Sequence, residues 1–330
     1  MTADVPVRVP ERRKWLLASI SSLWAGAAWA EGRAVSLIVP YPAGGGSDIV
    51  ARQLQPELAR RLGETVIVEN LAGAAGSIGT QRVVGAAPDG HTLLAGTPME
   101  IMLTPLGMAA ARYKPEDLRP VGQFATTTMV MLVRPGLGVG SVDELLQRAR
   151  KPGAPELSYG SIGPGSLYHL LGERFSQLAG LKTLHVPYKG MAPLVQDLIS
   201  GQFDFAFVPL AGNVPDVIES GRVKALALAA ASRHARFPAL PLMKDNKGFE
   251  DFVYGLWSGL QVPRATPEPL QQKLHQICVE MLAVPELRRA IEASGSSVAA
   301  PQSLAELRSA YLADIDKYRA IARSIQLQPQ

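Results

Sequence analysis

The sequence predicts an α/β fold of two domains, each built on a largely parallel sheet, and three observations carry that prediction. From residue 34 onward a unit recurs of short apolar strand, corner of small residues and amphipathic helix; strands alternating with helices of this size favour parallel sheets covered by helices. Two long extended stretches interrupt the alternation, LRPVGQFATTTMVMLVRP at 118–135 and FEDFVYGLWSGLQVP at 249–263. The length of 330 residues is also enough for two domains that each bury a core. A chain that leaves one sheet, builds a second and returns needs two crossings. The expected division is a leader over 1–30, one domain from 31–122 plus 250–330, and a second from 123–249.

The leader reading rests on order of composition. Arg12-Arg13-Lys14 form a basic patch, WLLASISSLWAGAA is an apolar stretch, and Ala28-Trp29-Ala30 is an A-x-A cleavage site. The competing reading is a membrane anchor, but the stretch is too short to span a bilayer and ends at small residues. Cleavage is expected after Ala30, so that the mature chain starts near Glu31 and is soluble outside the cytoplasmic membrane, in the periplasm. Removing the leader lowers the net charge from +4, because four of its residues are basic and two acidic. No basic run interleaved with aromatics survives, so nucleic-acid binding is not expected.

The units follow in order. AVSLIVP leads through YPAGGGS into DIVARQLQPELARRLG, where Val50, Leu54, Leu58 and Leu62 mark one buried stripe. Pro56 lies inside that helix and predicts a kink or break, because an interior proline costs about 3 kcal/mol or more. TVIVEN leads through LAGAAGS into IGTQRVVGAA, and the strand TLLAG runs to Thr97. ELSYG leads through SIGPGS into LYHLLGERFSQLAG, and LKTLHV through PYKGM into APLVQDLISG. Cys278, the only cysteine, sits in a helical stretch over 269–282 and reads as a buried structural thiol.

Each corner opens a helix, and helix starts carry unpaired N–H groups and partial positive charge. Glycines let a ligand approach the backbone, so a carboxylate or phosphate is held there without lysine or arginine. Ser47, Ser77, Ser161, Ser166 and Thr97 add hydroxyl donors. One such corner is an ordinary capped turn; four after successive strands converge on one crevice, because strand ends do so in open α/β sheets. Asp48 reads as the residue that holds its loop, and Asp204 either as a strand-edge turn residue or as a group facing the cleft.

Enzyme motifs are incomplete. GGGSDIVAR lacks the lysine of a phosphate loop, and GAAGSIG has the spacing G-x-x-G-x-x-G rather than that of a dinucleotide fingerprint. Ile49 stands where a nucleophile elbow needs its last glycine. His91, His169, His185, His234 and His275 lack metal-helix spacing and read as surface or packed histidines. No cofactor and no metal is expected.

YPAGGGSDIVARQL, VENLAGAAGSIGT with APDGHTLL, LSYGSIGPGSLYHLLGERF and HVPYKGMAPLVQDLISGQFDFAF resemble the receptors of tripartite tricarboxylate transporters, also called the Bug family of periplasmic solute-binding proteins. The resemblance runs from about Val35 to the C-terminal region. It implies a two-domain periplasmic-binding-protein fold of the Venus-flytrap, type II-like kind, hinged at two crossing strands and closing on a small carboxylate. On that pattern the ligand-binding residues are Tyr41, Ala43, Gly44, Gly45, Ser47, Asp48, Ser77, Thr97, Ser161, Gly165, Ser166 and Asp204. The implied partners are the large and small membrane subunits of a transporter, or a sensor kinase, and the receptor is expected as a monomer. Thr97-Pro98-Met99-Glu100 departs from the family, which shows small polar residues followed by His and Asn. Glu100 is expected to point to solvent; the alternative is that it accepts an amine or amide of an uncommon ligand. The competing function is a small-molecule enzyme, a hydrolase or a dinucleotide-dependent one, in the same cleft.

Overall fold

The computed structural model describes residues 33–327, so the leader and its cleavage site lie outside the described residues. In chain order the elements are β1 (Val35–Val39), α1 (Gly46–Leu62), β2 (Val66–Asn70), α2 (Ser77–Val84), β3 (Thr92–Gly96), α3 (Thr104–Gly107) and β4 (Leu118–Val133). Next come α4 (Val142–Ala149), β5 (Leu157–Ser161), α5 (Leu167–Ala179), β6 (Thr183–Pro187), α6 (Met191–Ile199), β7 (Phe205–Pro209), α7 (Val214–Glu219) and β8 (Lys224–Leu228). The chain ends with β9 (Gly255–Pro263), α8 (Glu268–Met281), α9 (Pro285–Ala293), β10 (Ser297–Val298) and α10 (Leu304–Ser324).

The strands form one curled sheet of order β2-β1-β3-β9-β4-β7-β5-β6, with β8 and β10 also pairing β4. β1 is parallel to β2 and β3, with Leu37 opposite both Val68 and Leu93. VSLIV is apolar almost throughout because helices cover both faces of a parallel sheet. β5 is likewise parallel to β6 and β7. β4 joins the two halves by changing partners: Leu118–Thr128 pair antiparallel with β9, and Met129–Val133 with β7 and β8. The first expected crossing is thus one continuous strand. The second is shorter than expected, because 249–254 are turns and bends and only Gly255–Pro263 is strand.

α1 buries Val50, Ala51, Leu54 and Leu58 against the first half-sheet. It runs through Pro56 without the expected break. The apolar stripe on both sides of the proline holds the turn in place while Pro56 itself faces solvent. Gly63, left-handed at φ 72°, ends the helix with its N–H on the Ala59 carbonyl. Cys278 of α8 is buried, as expected of a structural thiol, and burial pushes its pKa up to about 12. α10 ties the two halves together. Tyr318 donates to the Gly255 carbonyl at 3.2 Å, Arg319 pairs with Glu116 at 2.6 Å, and Gln177 of α5 donates to the Ser324 carbonyl at 3.1 Å.

Candidate functional site

The first corner follows β1. Gly44 takes φ 81°, a left-handed conformation that favours glycine, and its N–H donates to Asp48 at 2.8 Å. Asp48 is only 2 % exposed and also accepts from Arg52 at 3.0 Å and Asn70 at 2.9 Å. Arg52 first, and then the Gly44 amide, hold the Asp48 carboxyl down to about 2. Asp48 therefore ties its loop to the end of β2, in keeping with the loop-holding reading. The helix starts earlier than the sequence suggests, at Gly46, and Gly45 caps it without a side-chain acceptor. Among the described residues the amides of Gly46, Ser47 and Asp48 have no protein acceptor. A Cβ added at Gly44 or Gly46 would meet nothing within 4 Å, so those amides border open space.

The second corner packs against the third. Ala74 and Ala75 take positive φ (46° and 50°), and Gly76 (φ 84°) lies so close to the Glu100 side chain that a Cβ would sit 2.6 Å from its Cβ. Ser77 is buried at the start of α2. Thr104 donates to the Ala75 carbonyl at 2.9 Å, which fixes this corner to the segment after β3.

Glu100 corrects the expectation of a solvent-facing side chain. It lies in a wide π-type turn, Met99–Leu103, and is 0 % exposed. Its carboxyl accepts from the Tyr41 hydroxyl at 2.8 Å, the Thr97 hydroxyl at 2.6 Å and the Thr97 amide. Tyr113 donates to its backbone carbonyl. The short chain from Thr97 to Glu100 folds back on itself, so the acid serves its own turn instead of water. Burial raises the Glu100 pKa while these donors act against the rise.

In the second half-sheet, β5 ends at Ser161 and α5 begins after Ser166. Ser161 is fully buried; its hydroxyl accepts from Gly163 N at 3.0 Å and lies 2.7 Å from His185 Nε2. Ser166 donates to the Gly163 carbonyl at 2.7 Å and caps His169 N at 3.3 Å. The Gly165 amide donates to His169 Nδ1 at 3.3 Å. Both serine side chains are thus spent on their own loop, and the amides of Leu167 and Tyr168 are left without a protein acceptor among the described residues. The His169 and His185 rings lie 4.5 Å apart, tilted at 48°, and Tyr159 stacks on His185 at 5.0 Å. Burial, and then His169, push the His185 pKa down to about 4, so it is a neutral support.

The segment after β3 approaches the loop after β5. A Cβ on Gly107, at the end of α3, would come within 3.5 Å of the Gly165 Cα. In the first half-sheet Glu100 links the corner of Tyr41 to Thr97 and packs against Gly76 beside Ser77, while Ala43, Gly44, Gly45, Ser47 and Asp48 follow in the corner after Tyr41; Ser161, Gly165 and Ser166 share the loop after β5. Asp204 does not join them. It precedes β7, where it accepts from Arg134 at 3.0 Å and from Ser158 N at 2.8 Å. Ser158 lies near the start of β5, the end of the strand away from Ser161, so Asp204 is a strand-edge residue. Sequence reasoning missed Asn70, Tyr168, His169 and His185 as parts of the corners. Asn70 and Tyr168 carry a weak signal, being the residues next to the quoted corners; the histidines carry none, because they meet only where the start of α5 packs over β6.

Similarity to known proteins follows the same lines. The sequence model described as "Tripartite tricarboxylate transporter family receptor" matches residues 50–327. The protein BugT of Bordetella pertussis is 34 % identical over 271 residues, which cover 80 % of this chain and 81 % of BugT. The solved structure of the periplasmic binding protein BugD is 30 % identical with a TM-score of 0.72, covering 91 % of this chain and 99 % of that one. Rpa4515 of R. palustris, solved with adipate, is 28 % identical with a TM-score of 0.74, covering 92 % and 100 %.

Proposed function

The chain belongs to the tripartite tricarboxylate transporter receptor family, and from that premise we propose that it captures a small organic carboxylate between the corners of its two lobes. The observation that carries this reading is the pair of helix starts with open amides, Gly46, Ser47 and Asp48 of α1 against Leu167 and Tyr168 of α5. Two partial positive ends aimed at one crevice suit a carboxylate and need no lysine or arginine. The lobes divide near residues 122 and 250; β4 changes partners a few residues past the first of these, between Thr128 and Met129. The ligand bridges them and favours the closed form. Tyr41, Ala43, Gly44, Gly45, Ser77, Thr97, Ser161, Gly165 and Ser166 line or shape the crevice.

The receptor works as a monomer in the periplasm after cleavage at Ala30 and hands its ligand to the two membrane subunits of a transporter, or to a sensor. It is not an enzyme. The Ser161–His185 contact is the one feature that favours a hydrolase, but Ser161 is buried and no carboxylate bonds the other His185 nitrogen among the described residues.

The test is a thermal-shift screen of the purified protein against a panel of carboxylates at millimolar concentration, with Gly45→Val as the comparison. A Cβ at Gly45 meets only the Pro42 carbonyl, at 3.4 Å, so valine projects into the crevice without disturbing the fold. At least one acid should raise the melting temperature of the wild type and none should raise that of the variant. A panel in which only neutral or cationic compounds stabilise the protein overturns the anion site.

A further inference from the structure

Resting on the carboxylate reading above, we propose that Glu100 is a positioning residue that sets ligand class. By taking the hydroxyl protons of Tyr41 and Thr97, it leaves both oxygens as acceptors toward the cleft, so the ligand is a carboxylate bearing an N–H, O–H or ammonium donor at its far end. The argument is proton counting. A hydroxyl owns one proton, and once that proton is donated the oxygen only accepts. Tyr41 and Thr97 both donate to the same carboxyl oxygen of Glu100, at 2.8 and 2.6 Å, and the Thr97 amide fills the other; the Thr97 oxygen also accepts from the Met99 amide at 3.2 Å, which leaves it one lone pair and no proton. Tyr41 and Thr97 are half-buried residues, whereas Glu100 is fully buried behind their hydroxyls, so a ligand that reaches this corner comes to Tyr41 and Thr97 before the acid.

Nothing nearby offsets the acid. Among the described residues no lysine, arginine or histidine makes an ion pair or hydrogen bond with the Glu100 carboxyl. Another polar group on this side is the Gln261 amide, both of whose polar atoms are buried without a hydrogen-bond partner among the described residues. Its oxygen and a Glu100 oxygen lie 2.7 and 3.0 Å from where a Cβ on Gly96 would stand, so the glycine leaves space for both side chains. A second ligand carboxylate brought to Tyr41 and Thr97 would meet lone pairs in front and an acid behind. An ammonium or hydroxyl would meet two acceptors.

The experiment compares matched ligands by calorimetry: the diacids from succinate to adipate, against the ω-hydroxy and ω-amino acids of the same chain length. In the wild type the best donor-bearing acid should bind at least about tenfold more tightly than its matched diacid. Glu100→Gln offers an amide N–H to one hydroxyl and so frees that hydroxyl's proton for the ligand. It should shrink the ratio about tenfold, by weakening the donor-bearing acid and strengthening the diacid. A purely structural role for Glu100 would weaken both in parallel, and that result overturns the inference, as does a wild type that prefers the diacid. Should Glu100→Gln lose its near-ultraviolet circular dichroism, Tyr41→Phe serves instead: it must cost the donor-bearing acid more than the diacid, and equal losses overturn the inference. If acids bind but diacids bind best, only this inference fails; if no acid of the series binds, the carboxylate reading fails with it.

Discussion

The Asp48 side chain shows how one buried acid orders the corner around it. Its two oxygens hold the Gly44 amide, Arg52 and the Asn70 side chain, which fixes the loop over the start of α1. Replacing it with alanine releases donors that water can reach in part, since Gly44 and Arg52 are exposed, and should lower stability by about 1–2 kcal/mol, read from urea unfolding. The pH dependence has a definite sign. The folded carboxyl is held down to about 2, so its contribution stands in full above the ordinary aspartate range near pH 4, and fades as pH falls toward 2. The gap between wild type and Asp48→Ala should therefore be constant at neutral pH and close below pH 4. A gap that persists unchanged at pH 2 would show that packing, not charge, carries the effect. The loop-holding role of Asp48 was legible from its place after Ser47. The burial of Glu100 was not, because it depends on a wide turn that no periodicity encodes.

At the scale of elements, the sequence was most informative where one pattern recurs. Each quoted strand–corner–helix unit appears with the expected type and order, since an apolar strand followed by small residues has few ways to continue. The failures sit where tertiary packing overrides a local rule. Pro56 should break α1, yet Leu54 and Leu58 anchor the turns before and after it. That implies a standing cost, because the proline supplies no N–H to the helix. Pro56→Ala restores the donor at an exposed position with little packing to lose, and should stabilise the protein by about 1–3 kcal/mol, measured as a higher urea midpoint at unchanged slope. A variant no more stable than the wild type would mean that α1 has relaxed around the proline at no cost. The same limit of local reasoning left unread that two of the histidines, expected to be surface or packed, meet each other, because they lie on α5 and β6.

For the whole molecule the question is what makes two half-sheets act on one ligand. β4 passes from one to the other between Thr128 and Met129, and the return path is held where the Tyr254 amide donates to the Ala229 carbonyl at 2.9 Å. On the proposed reading, motion about two such strands closes the segment after β3 on the loop after β5, and the near contact of Gly107 with Gly165 is the place to test it. Neither glycine leaves room for a large side chain between the lobes. Gly107→Trp should therefore hold the lobes apart and leave each one folded, since a Cβ there meets only Gly165 and Leu327 within 4 Å. Forcing bulk into a close-packed contact costs about 1–3 kcal/mol, which corresponds to roughly fivefold to more than a hundredfold weaker binding. The measurement is small-angle scattering with and without a carboxylate found in the screen, paired with calorimetry on the same samples. The wild type should shrink in radius of gyration on binding; Gly107→Trp should bind more weakly and stay extended, with a ligand-free melting temperature close to that of the wild type. If the variant compacts and binds as the wild type does, closure does not bring these corners together, and the ligand must be held within one lobe.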